Sequence, residues 1–127
     1  MIVGLGIDLC GVERIRRMLA DHGERFLKRT FTEAEVACAR RRKKGFEETL
    51  AGRFAAKEAV MKALGTGWGR GVGFRGIEVL KRPSGKPCVV LHGTTAARAA
   101  ALGVTAWHVT ITHTEDLAIA LAVAERG

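Results

Sequence analysis

The sequence contains no tyrosine, and only 6% of its residues are aromatic, so stacking platforms for single-stranded nucleic acid are scarce. It has no long hydrophobic run. The longest, LAIALAVA at 117–124, spans eight residues, against the roughly 20 needed to cross a bilayer. No cationic start with a following apolar stretch opens the chain, which begins MIVGLGIDLC, so a secretory signal is not expected. Cysteine is sparse: Cys10, Cys38 and Cys88 cannot all pair within one chain and show no C-x-x-C spacing. The expectation is a reducing, cytoplasmic setting, with no zinc site and no membrane association. Acids are outnumbered, 13 against 21 Lys and Arg, for a net charge of +8. A surface this basic favours a polyanionic partner, whether nucleic acid, anionic lipid, a phosphorylated small molecule or an acidic protein.

What is present is ordinary globular material. The 127 residues suffice for one domain over 1–127 and a real core, and 47% hydrophobic against 27% charged residues is not a disordered composition. Residues 2–9 alternate, with Val3, Leu5, Ile7 and Leu9 on one face and Gly4, Gly6 and Asp8 on the other. Two glycines before an acid leave space around it, so something approaches Asp8 closely. A helix follows over 12–22, placing Val12, Ile15 and Leu19 together and Arg14, Arg16 and Arg17 elsewhere.

In FTEAEV, Thr32 and Glu35 have the spacing of a capping box, and Phe31 and Val36 that of a hydrophobic staple. This helix is expected to run out through RRRKK at 40–44 and stop at Gly45, the positive charge suiting the negative end of the dipole. The longest helix, from Phe46, carries Phe46, Leu50, Phe54 and Met61 near one stripe and ends at Gly65. A glycine-rich loop, GTGWGRGVGFRG, leads into a hairpin of IEVLKR and CVVL turned by PSGKP. An alanine-rich helix at 95–102 and two strands, VTAWHVTITHT and LAIALAVAE, complete the chain. The last strand places Leu117, Ile119, Leu121 and Val123 on one face and four alanines on the other, where a helix or another subunit could pack closely. The order is β-α-α-α-β-β-α-β-β, which favours an α+β fold.

The stretch FAAKEAVMKALGTG at 54–67 admits two readings. Glu58 and Lys62 are i and i+4 and could simply pair, a contribution of only about 0.2–0.5 kcal/mol. Yet Glu58 shares its side of the helix with Phe54, Ala55 and Met61, and Asp8 lies on a strand that a long helix could cover. Two carboxylates from different elements suit Mg²⁺, which takes one or two such ligands and completes its octahedron with water and phosphate oxygens. Neighbouring lysines then serve where phosphoryl charge accumulates.

GIDLCGVERI at 6–15 and RFAAKEAVMKALGTG at 53–67 resemble the two signature motifs of holo-[acyl-carrier-protein] synthases, the short bacterial-type 4′-phosphopantetheinyl transferases. PSGKP and ITHTEDLAIA at 111–120 are similar to two further family motifs. The likeness runs from about residue 2 to residue 125. It implies an antiparallel-rich sheet packed against a long helix. The reaction it implies moves the phosphopantetheine arm of coenzyme A onto a serine of an apo acyl carrier protein of fatty acid or polyketide synthesis, releasing adenosine 3′,5′-bisphosphate.

By position, Asp8 and Glu58 would bind Mg²⁺ and Lys62 would lie near the pyrophosphate, with Glu58 able to take the serine proton. Lys44 and Arg53 would reach the 3′-phosphate of coenzyme A. Ser84, Gly85, Lys86 and Pro87 would border the nucleotide, and His113 with Thr114 would lie at the coenzyme A site. Thr112 stands where many relatives carry serine. The resemblance also makes helix 12–22 the dock for the acidic carrier through Arg14, to which helical spacing adds Arg17, Met18 and Arg25, and it implies a homotrimer with sites between subunits. The rival is a nucleic-acid binder, supported by net charge, RRRKK and a loop that superficially resembles RGG segments. It needs no Asp8–Glu58 pair, and no nucleic-acid partner is expected.

Overall fold

The computed structural model describes residues 1–42 and 45–127. Its axis is a helix, α4 (Phe46–Leu64), rich in alanine and other strong helix formers and buried on almost every side from Leu50 onward. Glycines in the left-handed region bound it: Gly45 (φ 95°) precedes the first turn and Gly65 (φ 74°) closes the last, donating to the Lys62 carbonyl.

Against α4 lies a three-stranded antiparallel sheet in the order β1 (Ile2–Gly11), β5 (Leu117–Glu125), β4 (Ala106–His113). Where β1 and β5 cross α4, the face turned to it is mostly glycine and alanine, while β4 adds Val109 and Ile111. Gly4 and Gly6 of β1 pair with Ala124 and Ala122 of β5, and Ala118, Ala120, Ala122 and Ala124 are fully buried. A Cβ on Gly6 would stand 1.8 Å from the Ala59 carbonyl oxygen, and one on Gly4 1.9 Å from that of Ala63. Helix and sheet therefore touch backbone to backbone, and what approaches Asp8 so closely is α4 itself.

On β1 and β5 the opposite face of the sheet is apolar and uncovered, while β4 carries His108, Thr110 and Thr112 there. Leu5, Ile7 and Leu9 are each about 60% exposed, and Leu121, paired with Ile7, is exposed as well.

The remaining elements pack on the other sides of α4. Helix α1 (Val12–His22) buries Val12 and Ile15. A second short helix that the sequence reading lacks, α2 (Glu24–Thr30), starts directly after Gly23 (φ 52°) and buries Phe26, Leu27 and Thr30. The element order is thus α+β with one more helix than expected. Two turns of helix with only two large apolar residues offer too little periodicity to be seen.

Helix α3 (Glu33–Arg40) begins with the expected capping box: Thr32 accepts from the Glu35 amide, and the Glu35 side chain accepts from the Thr32 amide at 2.8 Å. It ends at Arg40, with Arg41 as C-cap, rather than running to Gly45, which opens α4 instead. Lys43 and Lys44 lie outside the described residues. After the glycine loop and one 3-10 turn (Phe74–Gly76) comes the hairpin of β2 (Ile77–Lys81) and β3 (Pro87–Leu91). Helix α5 (Gly93–Ala101) precedes β4. Among the described residues no helix is long and apolar enough to cross a membrane.

Candidate functional site

Three of the expected residues converge where β1 meets the C-terminal half of α4. Asp8 lies opposite Ala120 in the sheet, half-buried under the helix. Lys62 crosses to it, donating to Asp8 Oδ1 at 2.7 Å and to the Ile7 carbonyl at 3.0 Å. The i, i+4 pair of Glu58 with Lys62 is therefore not formed, because the lysine is drawn to the strand. Glu58 is left beside Asp8, with Arg14 of α1 at 3.6 Å from its Oε1.

Electrostatics describe the same place. Burial pushes the Glu58 carboxyl above its ordinary range, as does the charge of the neighbouring Asp8; Arg14 and Lys62 oppose the shift. The hydrogen bond to Asp8 lifts Lys62 above the usual lysine range. Cys10, two residues along the strand, is buried and its thiol is pushed up to about 11, chiefly by desolvation.

A divalent cation fits here. Glu58 Oε1 is buried without a hydrogen-bond partner, and the Asp8 carboxylate from a second element stands beside it and helps raise its pKa. Hard oxygen donors from only two side chains suit Mg²⁺, whose other positions go to water and phosphate oxygens. Among the described residues no group of three His, Cys, Asp or Glu could enclose an ion, so a closed site made wholly of protein is not built.

Other expected residues stand apart from this centre. His113 and Thr114 are exposed and line a cavity of about 510 Å³ with Arg16, Arg42 and Glu48, a cavity that Asp8, Glu58 and Lys62 do not line. In the hairpin turn, Ser84, Gly85 and Lys86 are exposed and Pro87 is half-buried at the start of β3. Gly85 there (φ 89°) has the positive φ the turn requires. Arg53 corrects an expectation. It is only 4% exposed, and its guanidinium is engaged inside the fold, donating to the Val79 carbonyl at 3.0 Å and to Cys38 Sγ at 3.2 Å, so in this chain it is a core tie and not a free phosphate ligand. The Lys44 assignment falls outside the described residues.

The residues expected to meet a partner share one side of the molecule. Arg14 is exposed, its guanidinium lying 4.8 Å from the centre of the Phe54 ring. Met18 and Arg25 line a groove of about 940 Å³ whose far wall is the glycine loop, with Trp68 and Phe74, and the start of α5. Arg29 and Arg75 join Arg25 there, and none of the described residues lining the groove is acidic. Arg17 is exposed on α1 outside that lining.

The sequence reading missed this loop wall. It also missed a fully buried ion pair between Lys57 and Glu35 at 2.8 Å. A signal for Lys57 did exist: it sits three residues from Phe54 and Val60 and four from Met61, which puts it on the apolar stripe of α4.

A model of the 4′-phosphopantetheinyl transferase superfamily matches residues 4–122. The chain belongs to that superfamily. It is a phosphopantetheinyl transferase of the holo-[acyl-carrier-protein] synthase kind, as its relatives show. It is 48% identical over 126 residues to the holo-[acyl-carrier-protein] synthase of Solidesulfovibrio magneticus, with 98% of this chain and 99% of that one covered. The crystal structure of the holo-[acyl-carrier-protein] synthase of Neisseria meningitidis superposes with a TM-score of 0.91 at 33% identity, covering 99% of this chain and all of that one. A holo-(acyl-carrier-protein) synthase of Bacillus anthracis, solved in complex with CoA (3′,5′-ADP), gives 0.82 at 38% identity, covering all of this chain and 99% of that one. The α+β fold of this phosphopantetheinyl transferase is thus that of the holo-[acyl-carrier-protein] synthases.

Proposed function

We propose that the chain transfers the 4′-phosphopantetheine group of coenzyme A to a serine hydroxyl of an acidic apo acyl carrier protein, releasing adenosine 3′,5′-bisphosphate in an Mg²⁺-dependent reaction. The observation that carries this reading is the meeting of Asp8, Glu58 and Lys62 around an unpartnered carboxylate oxygen, in a chain of this superfamily. Asp8 and Glu58 would hold the ion, which when bound supplies positive charge beside the diphosphate.

Each of the chain's own groups then has a task. Lys62, on an exposed ammonium, binds the diphosphate oxygens and offsets charge on the departing phosphate. Glu58, made more basic by burial and by Asp8, takes the proton of the attacking serine hydroxyl. His113 and Thr114, with the turn Ser84–Pro87 (residues 84–87), hold the nucleotide. The Bacillus anthracis relative, solved with CoA, supports coenzyme A as donor.

The acceptor docks on the basic side: Arg14 and Arg17 on α1, with Met18 and Arg25 at the groove, suit an acidic helix. The contiguous run of exposed apolar side chains Leu5, Ile7, Leu9 and Leu121 supports assembly through the sheet, since contiguous apolar patches mark interaction sites. With a homotrimer, the His113 side of one subunit completes the Asp8–Glu58 side of its neighbour.

The test is intact-mass spectrometry of an apo carrier incubated with coenzyme A, with and without Mg²⁺. The expected result is one phosphopantetheine added per carrier, lost on chelation. No mass increase with a carrier and coenzyme A in excess would overturn the reading. Salt gives a second measure: KM for the carrier rises with ionic strength more steeply than KM for coenzyme A.

A further inference from the structure

Lys57 precedes Glu58 on α4, yet it points away from the reaction centre into the core. Its ammonium has three N–H donors, and all three are used: on Glu35 Oε1 at 2.8 Å, on the Phe74 carbonyl at 2.7 Å and on the Ile77 carbonyl at 2.5 Å. Glu35 completes the knot, its Oε1 also accepting from the Thr32 amide at 2.8 Å and its Oε2 from the Val79 amide at 2.9 Å. Neither side chain has any exposure. One buried pair thus joins the first turn of α3, the middle of α4, the start of β2 and the exit of the glycine loop.

A buried pair of this kind is a weak source of stability, because apolar residues of the same volume usually serve as well. What it does supply is a fixed position. Four glycines from Gly65 to Gly76 have positive φ, namely Gly65, Gly67, Gly69 and Gly71, and such a segment is expensive to order. Its exit is where Lys57 grips.

From that grip a chain of contacts leads to the carrier side. The Phe74 ring stacks on Phe54, with centroids 5.1 Å apart and planes 23° apart. Phe54 in turn lies under the Arg14 guanidinium at 4.8 Å, and Arg14 reaches Glu58. Phe74 and Arg75 also form part of the groove wall.

We infer that Lys57, held by Glu35, is a positioning residue for the carrier-facing groove: by fixing the Phe74 and Ile77 carbonyls it sets the Phe74–Phe54–Arg14 stack beside Glu58. The inference rests on the proposed reading, in which that groove takes an acidic carrier.

The experiment compares wild type with Lys57→Met in two measurements. Hydrogen exchange is followed over residues 66–77, with β1 and β5 as internal reference. Steady-state transfer gives KM for the carrier and for coenzyme A separately. The expected result is exchange of the loop faster by about tenfold with the reference strands unchanged, and carrier KM raised about tenfold with coenzyme A KM held. A role confined to stability would lower the melting temperature and leave both KM values where they were. That outcome, equal increases in both KM values, or a loop whose exchange does not change would each overturn the inference.

If Lys57→Met does not fold, Phe74→Ala keeps the ion pair and removes the stack. It must then raise carrier KM alone, and an unchanged carrier KM overturns the inference. Absence of transfer in the wild type would instead remove the proposed function. The exchange measurement needs neither substrate, so it still decides whether Lys57 holds the loop.

Discussion

Replacing Gly6 by alanine adds one methyl group at the tightest point between β1 and α4. That Cβ would lie 1.8 Å from the Ala59 carbonyl oxygen, whereas ordinary contact begins near 3.4 Å, so a gap of about 1.6 Å has to open. The obstructing atoms are backbone, in the middle of a buried helix, and no side chain can turn aside to make room. Overpacking of this kind costs about 1–3 kcal/mol and occasionally more; two rigid elements in direct contact place Gly6→Ala at the upper end. About 3 kcal/mol corresponds to a fall in Tm of roughly 10–15 °C for a domain of this size. The same displacement acts on the proposed site. Lys62 reaches Asp8 at 2.7 Å across this interface, and separating α4 from β1 withdraws both Lys62 and Glu58 from Asp8. A misplacement of about 1 Å at reacting groups can lower turnover about 100-fold. Thermal unfolding by circular dichroism and intact-mass transfer kinetics at saturating Mg²⁺ measure the two effects. Gly11→Ala is the control: its φ is −70° and nothing lies within 4 Å of the added carbon, so its Tm stays within about 2 °C of wild type. A Gly6→Ala enzyme that melts with the wild type would refute the spacer role. One that melts early but transfers at the wild-type rate would show that this contact does not set the distance between the two acids.

Glu58→Gln keeps the shape of the side chain and removes its charge, so the enzyme remains folded while kcat falls by about 100-fold or more; wild-type turnover with wild-type Mg²⁺ affinity would exclude Glu58 from both roles. The Thr32 hydroxyl, and then His92, hold the Glu78 carboxyl below its ordinary range, so its stabilising effect is present above the unfolded glutamate value near 4.5 and is lost as pH falls through the folded one. The gap in urea midpoint between wild type and Glu78→Gln therefore closes on acidification below that value, and a gap independent of pH would contradict the assignment. Of the three thiols, Cys10 is fully buried and reacts last with a chromogenic disulfide; three equally fast thiols in the native enzyme would be the wrong result. Leu121→Glu places a charge on the uncovered face opposite Ile7, and light scattering should then find a single-chain mass; an unchanged oligomer would locate the interface elsewhere.

Legibility in the sequence followed the range of the forces involved. The capping box at Thr32 and Glu35, the PSGKP turn and the glycine at the end of α4 are local, and each is formed as its residues suggest. The alanine face of β5 pointed to close packing, and α4 lies on it. Asp8, Glu58 and Lys62 stood out as candidates because their two motifs are specific in combination, but the Lys62–Asp8 pairing did not: nothing local indicates that Lys62 leaves Glu58 for a strand more than fifty residues away in sequence. Glu35 illustrates the limit. Its capping role was evident in four residues, whereas the same carboxylate also meets Lys57 and the Val79 amide in the core, contacts set by tertiary packing. Arg53 erred in the opposite direction, since a basic residue in a signature motif suggested a phosphate while the fold turns it inward to Val79 and Cys38.

Phe54, Glu58 and Lys62 follow one another at intervals of four along α4, and four residues of helix advance about 6 Å. The helical pitch is consequently a ruler, with the aromatic rest for Arg14 at one mark, the acid at the next and the lysine that reaches Asp8 at the third. Lengthening the hairpin turn leaves those marks alone. Inserting a single residue between Phe54 and Lys62 would swing everything beyond it by about 100°, so the proposed site depends on the length of this helix as much as on its residues.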